Sequence, residues 1–197
     1  MEKKISVWDF DRRMGNMWRL YSSGGQIMNG KNLTALALAS ALFAGAFAGC
    51  GTLKPAETVA TLNGRAIEAG LVNFVAQNTA ASYDTYMAGY YGADMWEQEM
   101  GSTEGETLAD EVRKNALDEI ELQYLLDEHM ADYGVTISEE ELSEIDAVTA
   151  EFLSENTEEA LKIMGATEAY VKEMLRLKLV ESKMEDAIKA TADTEVS

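Results

Sequence analysis

Few side chains in this chain of 197 residues could do chemistry, and they stand far apart. Cys50 is the lone cysteine and His129 the lone histidine. A thiol can act as a nucleophile, an acyl acceptor or a metal ligand, but one that stands alone closes no disulfide within the chain. A zinc site built on His129 would need further His or Cys ligands, and none follow Cys50. His129 is flanked by Glu128 and Asp132 late in a helical pattern. A cation there favours the negative end of the helix, which is a structural role. The chain has no G-x-S-x-G strand-to-helix elbow for a nucleophilic serine. Ser22-Ser23-Gly24-Gly25 lacks the Lys-Ser/Thr that a phosphate loop requires. The acidic runs Glu139–Glu141 and Glu158–Glu159 fall in first helical turns, where carboxylates complement the helix dipole. Neither has the D-x-D-x-D-G pattern of a calcium loop. No catalytic residue, metal or cofactor is assigned.

Cys50 gains meaning from what precedes it. Leu33 to Phe47 is an apolar run introduced by Lys31, and it closes on Ala48-Gly49-Cys50. The run matches a secretory signal core and is shorter than the ~20 residues that span a membrane. Small residues crowd its exit and the cysteine sits where cleavage would fall. This resembles the bacterial lipoprotein signal, although Phe47 is unusual at the third position before the cut. The resemblance implies a diacylglyceryl group on Cys50, which becomes the new N-terminus. One acyl chain anchors only marginally and two anchor stably, so the protein is expected on the outer face of the bacterial cell membrane. An uncleaved anchor helix and a buried core helix are the alternatives, the latter disfavoured because the run has no ionisable side chain on any face.

The segment boundaries follow. Residues 1–27 carry mixed charge and two of the three tryptophans, Trp8 and Trp18, ahead of a complete signal. Met28 is a natural start, so 1–27 reads as a mis-assigned start, with a genuine leader extension as the alternative. Residues 28–49 form the signal, 50–57 a polar tether and 58–197 one helical domain. From Cys50 onward there are ten Lys and Arg against thirty-two Asp and Glu, a net −22. That balance argues against nucleic acid, whose phosphates need a cationic surface. It also argues against charge-driven docking on anionic lipid, which leaves the anchor to lipidation.

The fold class is mainly α, with a small N-terminal β-element followed by about five helices. Asn63-Gly64 takes the positive φ angles of a tight hairpin turn, so Thr58–Ile67 is expected to form that element. Leu71 to about Tyr91 has helical spacing but a poor N-cap, since Glu68-Ala69-Gly70 offers no Ser, Thr, Asp or Asn. A short helical piece is expected around Met95–Met100. Leu108, Val112, Ala116, Leu117, Ile120, Tyr124 and Leu125 form a stripe that predicts a helix from Leu108 to Tyr133, capped by Gly134. Ser138 with Glu141 makes a capping box for the next helix, which runs through Leu142, Ile145, Val148, Phe152 and Leu153. Thr157 starts a short helix to Met164, ended by Gly165. Thr167 caps a last helix to about Thr191, whose apolar positions are Val171, Met174, Leu175, Leu179, Met184 and Ile188. The lone proline, Pro55, lies in the tether and leaves these helices uninterrupted.

One cluster is rich in adaptable apolar side chains. Tyr83, Tyr86, Met87, Tyr90, Tyr91, Met95, Trp96 and Met100 fall within eighteen residues. Such side chains suit surfaces that accept varied partners. The cluster reads either as packing of the first helix or as a surface that binds unfolded segments; Tyr83, Tyr86, Met87, Tyr90, Tyr91, Met95 and Trp96 are the candidate residues for the latter.

VATLNGRAI, a helix, VRKNALDEIELQYLLDEHMADYGVTISEEEL and ENTEEALKIMGATEAYVKEMLRLKLVESKMEDAI together resemble the N-terminal chaperone domain of the SurA/PrsA-type foldases. The shared corner is Gly134-Val135-Thr136-Ile137-Ser138-Glu139-Glu140-Glu141-Leu142, and the likeness runs from about Thr58 to Ile188. It implies a SurA N/trigger-factor-like peptide-binding fold in a lipid-anchored, extracytoplasmic holder of unfolded or nascent secreted polypeptides. Many relatives add a parvulin domain that speeds X-Pro isomerisation. Here the chain ends at Ser197 without the parvulin histidines or strands. The alternatives are the non-catalytic part of a peptidyl-prolyl isomerase and a structural lipoprotein without clients.

Overall fold

The computed structural model describes residues 53–92, 94–99 and 104–191. Among these the first element is the expected hairpin. Strands β1 (Thr58–Leu62) and β2 (Arg65–Glu68) pair antiparallel. The two residues between them turn the chain with φ of 48° at Asn63 and 88° at Gly64. Left-handed backbone at both positions matches strand twist and explains the Asn-Gly pair. The register skips one residue between Thr58 and Ala60. This bulge leaves Val59 exposed, while Ala60 and Leu62 pack on the core beside the fully buried Ile67. A two-stranded hairpin is marginal by itself. Burying Ile67 against the helices contributes about 1.5–3 kcal/mol, enough to hold it.

Five helices follow among the described residues: α1 (Ala69–Tyr91), α2 (Leu108–Glu128), α3 (Glu139–Glu155), α4 (Glu158–Met164) and α5 (Glu168–Thr191). A 3-10 turn, Met95–Glu97, lies between α1 and α2. The domain is mainly helical with a small β-element before the helices, as the sequence predicts.

The weak N-cap of α1 has a structural answer. The helix continues directly from β2, and its first amides are satisfied by the supposed tether. Ala69 N–H donates to the Glu57 carbonyl at 2.8 Å, and Gly70 N–H to that of Pro55 at 2.9 Å. Backbone carbonyls thus replace a side-chain cap. The segment from Lys54 to Glu57 is itself a turn, closed by Glu57 N–H to the Lys54 carbonyl at 2.9 Å.

Three boundaries differ from expectation: α1 starts at Ala69 rather than Leu71, the short piece expected around Met95–Met100 is a 3-10 turn over Met95–Glu97, and α2 stops early. The helix predicted to run from Leu108 to Tyr133 ends at Glu128, and a 3-10 turn, Met130–Tyr133, completes it. The last turn tightens to satisfy free carbonyls before Gly134 turns left-handed, with φ 65°. The other helix ends follow the side-chain signals. Ser138 Oγ accepts from Glu141 N–H at 3.2 Å, while the Glu141 carboxylate accepts from Ser138 N–H at 2.7 Å. Thr157 and Gly165 bracket α4, and Thr167 Oγ1 accepts from Tyr170 N–H at 3.2 Å at the start of α5. Thr107 and Asp110 form a second capping box, starting α2.

Helix α5 is the centre of the packing. It touches α1, α2 and α3. Its middle is therefore apolar on more than one face: Leu177 and Val180 are fully buried, and of the apolar positions read from the sequence Val171, Met174, Leu175, Leu179 and Met184 are buried while Ile188, near the helix end, is exposed. Phe74 of α1 meets Phe152 of α3 edge-on, with ring centroids 6.1 Å apart.

Candidate functional site

The cluster of aromatic and methionine side chains at the end of α1 divides into two groups. Met95 and Trp96 are core residues, 0% and 3% exposed. The 3-10 turn folds back over α1, and Trp96 meets Tyr83 edge-on at 6.1 Å. Tyr83 and Met87 are half-buried against the same core. Tyr90 and Tyr91 face outward, 88% and 47% exposed. The side chain of Tyr86 lies outside the described residues, as do Met100 and the lipid-attachment candidate Cys50. Among the described side chains the exposed part is thus a tyrosine pair carried on a packed base, and Met95 and Trp96 support it from inside rather than facing a partner. The reason is topological: the chain must return from the end of α1 to the start of α2, and the 3-10 turn that does so caps the core. Leu108 N–H donates to the Gln98 carbonyl at 3.1 Å, tying this segment to α2.

His129 has a local partner. Its Nδ1 lies 2.7 Å from Asp132 Oδ2, and both side chains are well exposed. Among the described residues no group of three or more His, Cys, Asp or Glu could hold a metal ion. No described helix is long and apolar enough to cross a membrane.

At the opposite end of α1 lies a charge network absent from the sequence reading. Arg65, just after the Asn-Gly turn, donates to Asp127 at 2.7 Å and to Glu173 at 2.6 Å. Arg176 grips Asp127 with both terminal nitrogens, at 2.8 and 2.7 Å, and reaches Glu173 through Nε at 3.1 Å. The Arg65 guanidinium also lies over the Tyr124 ring, 3.5 Å from its centroid. Asn63 of the turn donates to Glu128 at 2.7 Å. Hydrogen bonds from Arg176 hold the Asp127 carboxyl below its usual value; burial opposes them, and Arg65 adds to them. Burial, and then the Glu173 charge, push the Tyr124 phenol up. Two cations face two anions, so the quartet is neutral and its donors are already engaged. It locks the hairpin to α2 and α5 rather than offering a site. The only sequence signal was the i, i+3 pair Glu173 and Arg176; Asp127 and Arg65 come from distant segments.

Further ion pairs join the helices along α5. Lys178 pairs with Glu119, Lys183 with Glu141 at 2.7 Å, and Lys172 with Asp146 at 2.9 Å. Gln123, buried on α2, donates to Glu119 at 3.1 Å and Glu181 at 2.8 Å. At Glu141, burial raises the carboxyl but Lys183 and the Ser138 cap outweigh it, and the net shift is downward. Many of the domain's cations are therefore spent on internal acids, and the remaining surface is strongly acidic.

Comparison with protein-family models, with curated proteins and with solved structures finds no match to this chain.

Proposed function

We propose that this protein is a lipid-anchored chaperone domain that holds unfolded exported polypeptides outside the cell membrane. The observation that carries the reading is the Tyr90–Tyr91 pair, exposed at the end of the aromatic-rich helix α1 on a base of half-buried Tyr83 and Met87. Paired tyrosines offer large apolar area with few rotatable bonds and a polar rim that tolerates water. Such a surface suits weak, varied contacts with unfolded chains. The apolar run closing on Cys50 supports the anchoring and the location. The resemblance to the SurA/PrsA-type foldases supports the same assignment.

The test is an aggregation assay. The protein is expected to slow the aggregation of a chemically unfolded client in proportion to its concentration, and Tyr90→Ala with Tyr91→Ala to weaken the effect. Failure to slow aggregation at any ratio would rule the reading out in favour of a structural lipoprotein. Acceleration of proline isomerisation in a model peptide by the same preparation would favour the enzymatic reading instead.

A further inference from the structure

The tyrosine pair sits in an unusual electrostatic setting. From Ala66 to Val112 the chain has no Lys, Arg or His. The same stretch holds Asp94, Glu97, Glu99 and Glu104, all of them exposed. Helix α1 has no basic residue in its own last turn to offset the negative pole of this 23-residue helix at Tyr91. The next cation along the chain, Arg113, is bound to Asp110 at 2.6 Å. Elsewhere the acids meet cations across helix interfaces, as Glu119, Glu141, Asp127 and Asp146 do. The end of α1 that exposes Tyr90 and Tyr91 is thus one where the carboxylates lack basic neighbours in sequence.

We infer that this end selects polypeptide segments in which Lys or Arg alternates with apolar side chains. The inference rests on the polypeptide-binding reading above and adds client chemistry to it. Lys and Arg heads would meet the carboxylates or lie over the exposed tyrosine rings, an attraction that strengthens as water is excluded. Their methylene stems and the apolar neighbours would cover Tyr90 and Tyr91. Acidic segments, nucleic acids and a second copy of this chain are repelled by the same field.

The experiment uses the full chain and two labelled peptides of equal length, with Leu and Phe at the same positions. One carries Lys at the remaining sites, the other Glu. Fluorescence anisotropy is expected to show the Lys peptide binding at least about tenfold tighter near 50 mM salt, and the gap closing near 500 mM as the screening length falls to a few ångströms. The variant Asp94→Asn/Glu97→Gln/Glu99→Gln/Glu104→Gln should lose most of that preference. The distant variant Glu151→Gln/Glu155→Gln/Glu158→Gln/Glu159→Gln, with the same charge change, should keep it. Circular dichroism reports whether each variant retains its helices. Equal binding of both peptides, or equal losses in both variants, overturns the inference and leaves the chaperone reading standing. Binding of neither peptide, together with no effect on aggregation, overturns both.

Discussion

Asp127 shows how much one side chain can organise. It accepts from Arg65 on the hairpin and from Arg176 on α5, so three elements meet at one carboxylate. Removing an acceptor from a fully buried charge pair costs about 3–5 kcal/mol, because the partner charge stays behind without compensation. Asp127 keeps 17% of its side chain exposed, so water relieves part of that loss. Asp127→Asn is expected to cost about 2 kcal/mol at neutral pH, read from urea unfolding midpoints. The effect should depend on pH. The folded carboxyl titrates below its ordinary value of 3.8. Its stabilisation is therefore complete above that value and drains away as pH falls towards the lower, folded one. Wild type and Asp127→Asn should differ most near neutrality and converge in acid. A gap that stays constant down to about pH 2.5 would show that the carboxylate charge is not what holds the hairpin.

At the scale of elements, the junction of β2 with α1 depends on a close approach. A Cβ on Gly70 would lie 2.4 Å from the Tyr170 hydroxyl and 2.6 Å from its ring. Tyr170 is held there because its hydroxyl donates to Glu68 at 2.8 Å, bridging α5 to the end of β2. Burial first, and then that carboxylate, push the phenol up to about 12. Gly70→Ala should gain about 0.5–1 kcal/mol in helix propensity but lose more by expelling the ring, a net destabilisation. In a Tyr170→Ala background the same change should turn stabilising. A double-mutant cycle over these two positions checks the sign reversal directly. The elements themselves were largely legible. Asn63-Gly64, Ser138 with Glu141, Thr157, Gly165 and Thr167 act within a turn or two of chain, so their chemistry is local and readable. The break after Glu128 was not, because only hydrogen-bond geometry separates the end of the helix from the 3-10 turn that follows it.

At the scale of the whole molecule the charge decides. The part from Cys50 onward carries a net −22, while the close pairs along α5 consume much of the positive charge. Long-range repulsion among the remaining acids opposes folding. Salt screens distant charges more than partly buried pairs. The thermal midpoint should therefore rise by a few degrees between about 10 mM and about 300 mM salt. A fall over that range would show that the ion pairs outweigh the repulsion. The same reasoning explains why the candidate surface was only half legible. The sequence placed eight aromatic and methionine residues close together, but periodicity could not separate the packed Met95 and Trp96 from the exposed Tyr90 and Tyr91.

The residues alone determined the helical class, the hairpin turn, most helix ends, the acidity and the apolar run before Cys50. Each depends on short-range spacing or on simple addition. Tertiary structure alone decided which apolar residues lie inside, which acids face which cations, and how carbonyls of the tether satisfy α1. Those outcomes depend on groups such as Arg65 and Glu173, which are distant in sequence and meet only when α5 packs against the rest. Burial of Leu177 and Val180 belongs to the same set, since a central helix shows a second apolar face only once its neighbours are known.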